Sequence, residues 1–252
     1  MSFQSPVSGI AGAVRIQRLS GMALAAAEAH GKRLDARGKA RAIYDAAPVS
    51  TTGLHLQDLY ERHIEGAKVQ RSNTKALHVL LQFPKELMDG EDADEMMHHA
   101  HAFVETVFGD DAIFADRIDR DEKSRHVVDL FVAPGYRKIT KRRSQPAIST
   151  SKHLKELATK RGKSPTLRGQ GQALQDAWFE YLRDEVGLDV KRGAEKKLPG
   201  SDWKSAEELE IERLRREQAA ASRELDAVNK ALAQKKAKIE LLKKRLRASR
   251  AS

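Results

Sequence analysis

The sequence predicts an α+β fold followed by a C-terminal coiled-coil helix. Three observations carry this reading. Strand-length apolar or alternating runs stand between longer stretches with a helical period. The helical stretches start and stop at capping residues. Beyond residue 187 the composition shifts, and a heptad pattern takes over.

The elements follow in order. "AVRIQRLS" (13–20) alternates and reads as a strand, and the alanine-rich "GMALAAAEAHGKRLD" (21–35) reads as a helix. "LHLQDLYERHIEGAKVQ" (54–70) is a second helix. "KALHVLLQFP" (75–84) is an apolar strand that stops at Pro84, with His78 as a satisfied core residue. "DADEMMHHAHAFVETVFG" (92–109) opens on acids and closes on Gly109, as helices do. His98, His99 and His101 on it read as a solvated face, with a helical metal pair on the face of His98, His101 and Glu105 as the alternative. "AIFADRID" (112–119) and "RHVVDLFVAP" (125–134) read as two strands around the polar turn "RDEKS", a hairpin at the middle of the sheet. "KITKRRSQPAIST" (138–150) reads as a basic loop, with Arg137, Lys138, Lys141, Arg142 and Arg143 clustered there. "TSKHLKELATKRGK" and "LRGQGQALQDAWFEYLRDEVG" are helices, the second with Leu174, Ala177, Trp178 and Tyr181 on one stripe.

A Gly/Lys-rich linker then leads to a segment without glycine or proline. In it Ile211, Leu214, Ala221, Leu225, Val228, Leu232, Ile239, Leu242 and Leu246 recur at steps of three and four. Gln218 and Lys235 interrupt the register. The expected organisation is a DNA-processing domain over 1–190, a linker over 191–203 and a basic coiled-coil helix over 204–252. A lone amphipathic helix docked on the body is the alternative for that last segment.

Composition bounds the function. The net charge is +10 over 252 residues. Residues 191–252 hold 18 Lys or Arg against 10 Asp or Glu, so the tail carries most of the surplus. Such a balance suits an anionic partner, nucleic acid first. The chain has no cysteine, which excludes disulfides, zinc–thiolate sites and cysteine catalysis. The first residues lack a basic region followed by a long apolar one, and no apolar run is long enough to span a bilayer. The expectation is a cytoplasmic protein.

The chemistry concentrates in "IDRDEKSRH" (118–126). Asp119, Glu122 and His126 stand three and four residues apart. On a strand–turn–strand they converge on one cation, and carboxylates with one imidazole suit Mn²⁺ or Mg²⁺. The alternative is a set of solvated turn residues, with His126 half-buried at the start of a strand.

This run resembles the metal motif of the plasmid mobilisation and recombination proteins, the Pre/Mob family of relaxases (the MobV class). That motif reads His-x-Asp-Glu-x-x-Pro-His-x-His and leads into a strand closed by proline. "RIQRLSG" resembles the family's N-terminal strand, and "HGKR" (30–33) its His-Asn-x-Arg motif. "AIFADRID" resembles the strand before the metal motif. "ALQDAWFEYLRDEVGLDVKRG" resembles its helix with a terminal Arg-Gly signature. Together they cover about residues 13–193. Asp119 stands where the family has its first metal histidine, Arg125 replaces the proline, and Val128 replaces the last histidine. Asp129 can stand in for that histidine only through a bulge, because residues 126 and 129 face opposite sides of a regular strand.

The resemblance implies an HUH-relaxase-like antiparallel sheet flanked by helices, with Mn²⁺ or Mg²⁺ among Asp119, Glu122, His126 and Asp129. It implies nicking of single-stranded origin DNA, with the enzyme left on the 5′ phosphate. It implies His30 as the nucleophile and Arg33 as a phosphate ligand. For His30 the alternative is a helix C-terminal histidine favoured by the dipole. Tyr44 and Tyr60 are fallback nucleophiles. The expected partners are single-stranded or hairpin DNA and a second copy of the chain through the coil. Two other readings stay open: a relaxase-fold protein that binds DNA without cutting it, and a coiled-coil scaffold with a basic head.

Overall fold

The computed structural model describes residues 11–69, 71–84, 92–193 and 206–250, with side chains of the last segment given at 211–239 and 243. The chain divides into two units, Met1–Lys197 and Leu198–Ser252.

The first unit is built on four strands: β1 (Val14–Leu19), β2 (Ala76–Gln82), β3 (Ile113–Arg117) and β4 (Val127–Val132). They lie in the order β1-β2-β4-β3, and every neighbouring pair is antiparallel. The hairpin expected at the middle of the sheet therefore lies half at its edge: β4 is interior, but β3 is an edge strand. The register shift in this hairpin falls in β3, between Ile113 and Ala115.

Strand alternation sorts the two faces. Leu77, Val79 and Leu81 of β2 and Val128, Leu130 and Val132 of β4 point to one side. There they meet α4 (Ala93–Phe108) through Met96, Phe103 and Val104, and α6 (Leu167–Asp184) through Leu174, Trp178 and Leu182. Trp178 is fully buried between Phe83 and Phe103. Truncating such a side chain costs about 3–5 kcal/mol. α5 (Lys152–Lys160) joins this layer through Leu154. On the opposite face Phe114, Ala115 and Phe131 pack against Leu24 of α1 (Gly21–Gly31) and against Leu56 and Tyr60 of α3 (Leu56–His63).

Short α2 (Ala36–Arg41) is not legible in the hydrophobic pattern; Asp35 caps it by accepting from Gly38 N–H at 2.6 Å. The stretch expected as a basic loop is instead a two-stranded ribbon, β5 (Gly135–Ile139) paired with β6 (Ser144–Ile148). Lys141 and Arg142 form its tip, where a two-residue hairpin loop more often carries Asn-Gly. In the second unit, α7 (Ala206–Arg250) is a single helix. Of the linker expected over 191–203, residues 194–203 lie outside the described residues. Among the described residues, no helix is long and apolar enough to cross a membrane.

Candidate functional site

The site lies on the α1 side of the sheet, where three short segments meet. The first is the end of α1, which presents His30 and then turns through Arg33. Arg33 takes the left-handed backbone conformation, φ 54°, which is uncommon for a residue with a Cβ. The second is α2 with its cap Asp35. The third is the loop from Ile118 to His126. The second and third are tied together by backbone: the N–H groups of Ile43 and Tyr44 both donate to the Asp121 carbonyl, at 2.8 and 3.0 Å. Two glycines permit the close approach. A Cβ on Gly31 would overlap the Arg117 guanidinium, and one on Gly38 would press on Asp35 and the His30 ring.

His30 sits between two carboxylates. Its Nδ1 lies 3.4 Å from Asp35 Oδ1, and its Nε2 lies 3.4 Å from Glu122 Oε1. The side chain retains 18% exposure, so the ring is held but reachable. Asp35 is kept ionised below the usual carboxylate range, first by the Gly38 N–H and further by His30 and Arg33.

Around this pair the acids and arginines interlock. Arg33 binds Asp121 with two nitrogens, Nε at 2.7 Å and Nη2 to the other oxygen. It also reaches Glu122 Oε1 at 3.1 Å and Asp119 Oδ1 at 3.2 Å. Arg41 holds Glu122 Oε2 at 2.9 Å. Buried Arg117 bridges inward, with Nε 3.0 Å from Asp119 and Nη2 3.2 Å from Asp129. Asp129 completes the chain by meeting His78 Nε2 at 2.8 Å, and the His78 ring stacks on Phe131 at 4.8 Å.

The carboxylates respond differently to one interior. Burial pushes Asp119 up to about 6; Arg117 offsets part of this, and the nearby charges of Asp129 and Glu122 add to it. Burial acts on Asp129 too, but His78 and Arg117 outweigh it and hold this carboxyl well below the usual range. Asp121 is lowered, chiefly by its hydrogen bond from Arg33. Burial works against the charge on Arg33, yet its acidic partners raise it above its ordinary value.

Could the acids take a cation? His30, Asp119 and Glu122 each offer a ligand atom within 4.8 Å of the others. Asp119 Oδ1 and Glu122 Oε1 are buried without a well-formed hydrogen bond, because the guanidinium groups approach them off-axis. Two hard oxygens and an imidazole fit a hard divalent ion. Arg33 is its competitor for the same two oxygens.

The residues singled out from sequence are therefore distributed as follows. His30, Arg33, Asp119 and Glu122 come together. His126 does not reach this group; its Nε2 stands 3.1 Å from the Gln82 side-chain nitrogen. Asp129 lies on the inner side of Arg117, in the pair with His78. Tyr44 is exposed near the site, with the Arg125 guanidinium 5.9 Å above its ring. Tyr60 is buried against Phe114, and burial raises its pKa, which disfavours the phenolate. The cations Arg137, Lys138, Lys141, Arg142 and Arg143 lie on the β5–β6 ribbon or at its tip, and none of them makes an ion pair among the described residues. On α4, His98 is exposed as expected, but His101 is engaged by buried Asp116 at 3.1 Å and His99 by the Tyr181 hydroxyl at 3.1 Å.

Sequence reasoning missed Asp35, Arg41, Arg117 and Asp121. Arg117 left a readable signal: an arginine inside the strand "IFADR" must find buried acceptors. Asp35 carried the ordinary mark of an N-cap.

Comparisons with known proteins bear on the fold. No protein-family model matches the chain, and no curated protein matches it by sequence. Among solved structures, it is similar to the MobM relaxase domain (MOBV; Mob_Pre) bound to 23 nucleotides of plasmid pMV158 oriT DNA, an Mn-bound crystal structure. The TM-score is 0.51 at 14% identity, covering 82% of this chain and 99% of that one. A second Mn-bound structure of the same domain with 22 nucleotides gives a TM-score of 0.49 at 14% identity, over 80% and 98% of the two chains. The first unit thus has a relaxase-like fold: an antiparallel sheet flanked by helices.

Proposed function

We propose that this chain is a DNA mobilisation or recombination protein that binds single-stranded or hairpin DNA and nicks it with His30 as the nucleophile. The observation that carries the proposal is the His30 imidazole held between Asp35 and Glu122, beside Arg33 and Arg41, on a relaxase-like fold. A hydrogen bond from Nδ1–H to Asp35 fixes the tautomer and puts the lone pair on Nε2, which would attack once the phosphate replaces Glu122 as its neighbour. The P–N bond forms as the bond from phosphorus to the 3′ oxygen breaks. The Nδ1 proton stays on the ring, where the ionised Asp35 carboxylate offsets the positive charge that forms, and the departing 3′ oxygen takes a proton from water. The products are a phosphoramidate on the 5′ end and a free 3′ hydroxyl. Arg33 and Arg41 offset the charge that builds on the phosphate.

A divalent cation belongs to the same proposal. Asp119 and Glu122 would hold Mn²⁺ or Mg²⁺ in place of the Arg33 guanidinium, with the His30 imidazole off the ion as the nucleophile, and the ion would polarise the phosphodiester. The ribbon cations, Arg137, Lys138, Lys141, Arg142 and Arg143, gather the strand by counterion release. Residues 1–190 form the DNA-processing domain, joined by the linker to a helix that pairs with a second copy. The protein works in the cytoplasm.

A second reading has its own observation. Arg33, Arg41 and Arg117 already neutralise Asp119, Asp121 and Glu122. This suits a protein that holds DNA on the same fold without cutting it. The test is a nicking assay on a supercoiled plasmid carrying the DNA that flanks the chain's own coding sequence. Wild type and His30→Ala are compared in Mn²⁺, Mg²⁺ and EDTA. Cation-dependent nicking that disappears in His30→Ala is expected. Binding without nicking in every condition would leave the second reading standing.

A further inference from the structure

We infer that α7 pairs with a second copy of itself in the antiparallel orientation, about a midpoint between Asp226 and Ala227; this deepens, and rests on, the homodimer reading above. α7 is one unbroken helix, and Ile211, Leu214, Leu225, Val228, Leu232 and Ile239 on its stripe are each 48–59% exposed. A run of half-exposed aliphatics at heptad spacing is a coiled-coil seam without its other half. The two positions that break the seam, Gln218 and Lys235, decide how that half lies.

In a parallel in-register pair every seam residue faces its own copy. Lys235 then faces the partner's Lys235, two ammonium groups in one apolar layer. Outside the seam Lys238 also lies beside the partner's Lys243. In an antiparallel pair, positions of the first kind in the heptad face positions of the second kind. One offset places Leu214 against the partner's Ile239, Ala221 against the partner's Leu232 and Leu225 against the partner's Val228. The same offset places Gln218 against the partner's Lys235. Both interruptions then share layers, and the amide oxygen of Gln218 accepts from the ammonium. Shifting the helices by one heptad either way sets Lys235 against Ile211 or Leu225 instead, which leaves its charge unpaired. Beside the polar layer Glu217 comes to face the partner's Lys238. One pair opposes the arrangement, Arg215 against the partner's Lys236, but both are exposed, and such pairs contribute little.

The absence of cysteine makes the test clean. Full-length Gln218→Cys and Lys235→Cys are prepared separately and treated with a short bis-maleimide crosslinker, alone and mixed. Positions 218 and 235 are about 25 Å apart along one helix, well beyond the reach of the crosslinker. A crosslinked dimer is expected only in the mixture. A dimer formed by Gln218→Cys alone would establish the parallel pair and overturn the inference. Sedimentation equilibrium of the wild-type chain runs alongside. A dimer that gives no crosslink in the mixture overturns this offset, and a monomer removes the homodimer reading itself. As a second variant, Gln218→Glu lowers the dimer dissociation constant about fivefold at low salt in the antiparallel pair. In a parallel pair it would raise it, because the new carboxylate would face its own copy.

Discussion

The sheet face beneath α1 and the β5–β6 ribbon both concentrate charge, and they use it in opposite ways. Beneath α1 the guanidinium groups of Arg33, Arg41 and Arg117 all meet carboxylates, at 3.2 Å or closer. On the ribbon, Arg137, Lys138, Lys141, Arg142 and Arg143 make no ion pair among the described residues. Charges that are mutually paired fix geometry but contribute little net attraction for a ligand. Charges left open to solvent contribute affinity but fix nothing. Under the proposed function, positioning and chemistry would therefore fall to the first region, and capture of an anionic strand to the second.

That division can be broken at either end. The largest effect is expected at His30. His30→Ala should remove nicking by more than about a thousandfold while leaving DNA affinity near the wild-type value, measured by fluorescence anisotropy on a labelled oligonucleotide. Next comes the buried pair. Asp129→Ala strands Arg117 and His78 in the interior and should cost about 3–5 kcal/mol in urea unfolding. The apolar double replacement Asp129→Leu with Arg117→Met should recover only part of that loss, because His78 and Asp119 lose a partner in it. If it recovers none, the pair holds more than its own charges.

The ribbon follows. Arg137→Ala with Arg142→Ala and Arg143→Ala should leave unfolding unchanged but weaken single-strand binding about ten- to a hundredfold near 50 mM salt. The dependence of log affinity on log salt should flatten by about 2, at roughly 0.7 for each phosphate no longer neutralised. An unchanged slope would move strand capture elsewhere.

The smallest effect is a slope. Asp119 has its pKa raised to about 6 in the folded chain, against an ordinary 3.8. Between about pH 4 and pH 6 the folded chain keeps a proton that the unfolded chain has released. This contribution to stability is complete below about pH 4 and is lost as pH rises through 6. Asp119→Asn should flatten that part of the stability profile. Asp129, held low by His78 and Arg117, contributes in the other direction and loses its contribution as pH falls.

Much of the fold was legible because it rests on local pattern. The apolar runs that became β2 and β4 each alternate between two faces, and the helices expected from Gly21 and Leu167 start there, capped by Ser20 and Thr166. Strand order was not legible, because β2 enters between β1 and β4 through pairings distant in sequence. The ribbon was missed because its turn carries Lys141 and Arg142, without the residues that announce a hairpin. In the site, Asp119 and Glu122 are neighbours in sequence, and the fold adds His30 and Arg33 to them. Asp35 and Arg41 were hidden because they enter through α2, which has no apolar stripe. The separation of His126 from Asp129 followed from strand alternation, since β4 has no bulge to bring them to one face.

The central claim is that His30 forms the bond to DNA, and the chemistry of that bond tests it most directly. Full-length protein is incubated with Mn²⁺ and the plasmid described above. Any covalent protein–DNA product is then split, one half treated with mild acid and one half digested for peptide mapping by mass spectrometry. The expected product is an acid-labile phosphoramidate that maps to His30. An acid-stable adduct mapping to Tyr44 would contradict the claim and would move the nucleophile from the end of α1 to the loop that follows α2.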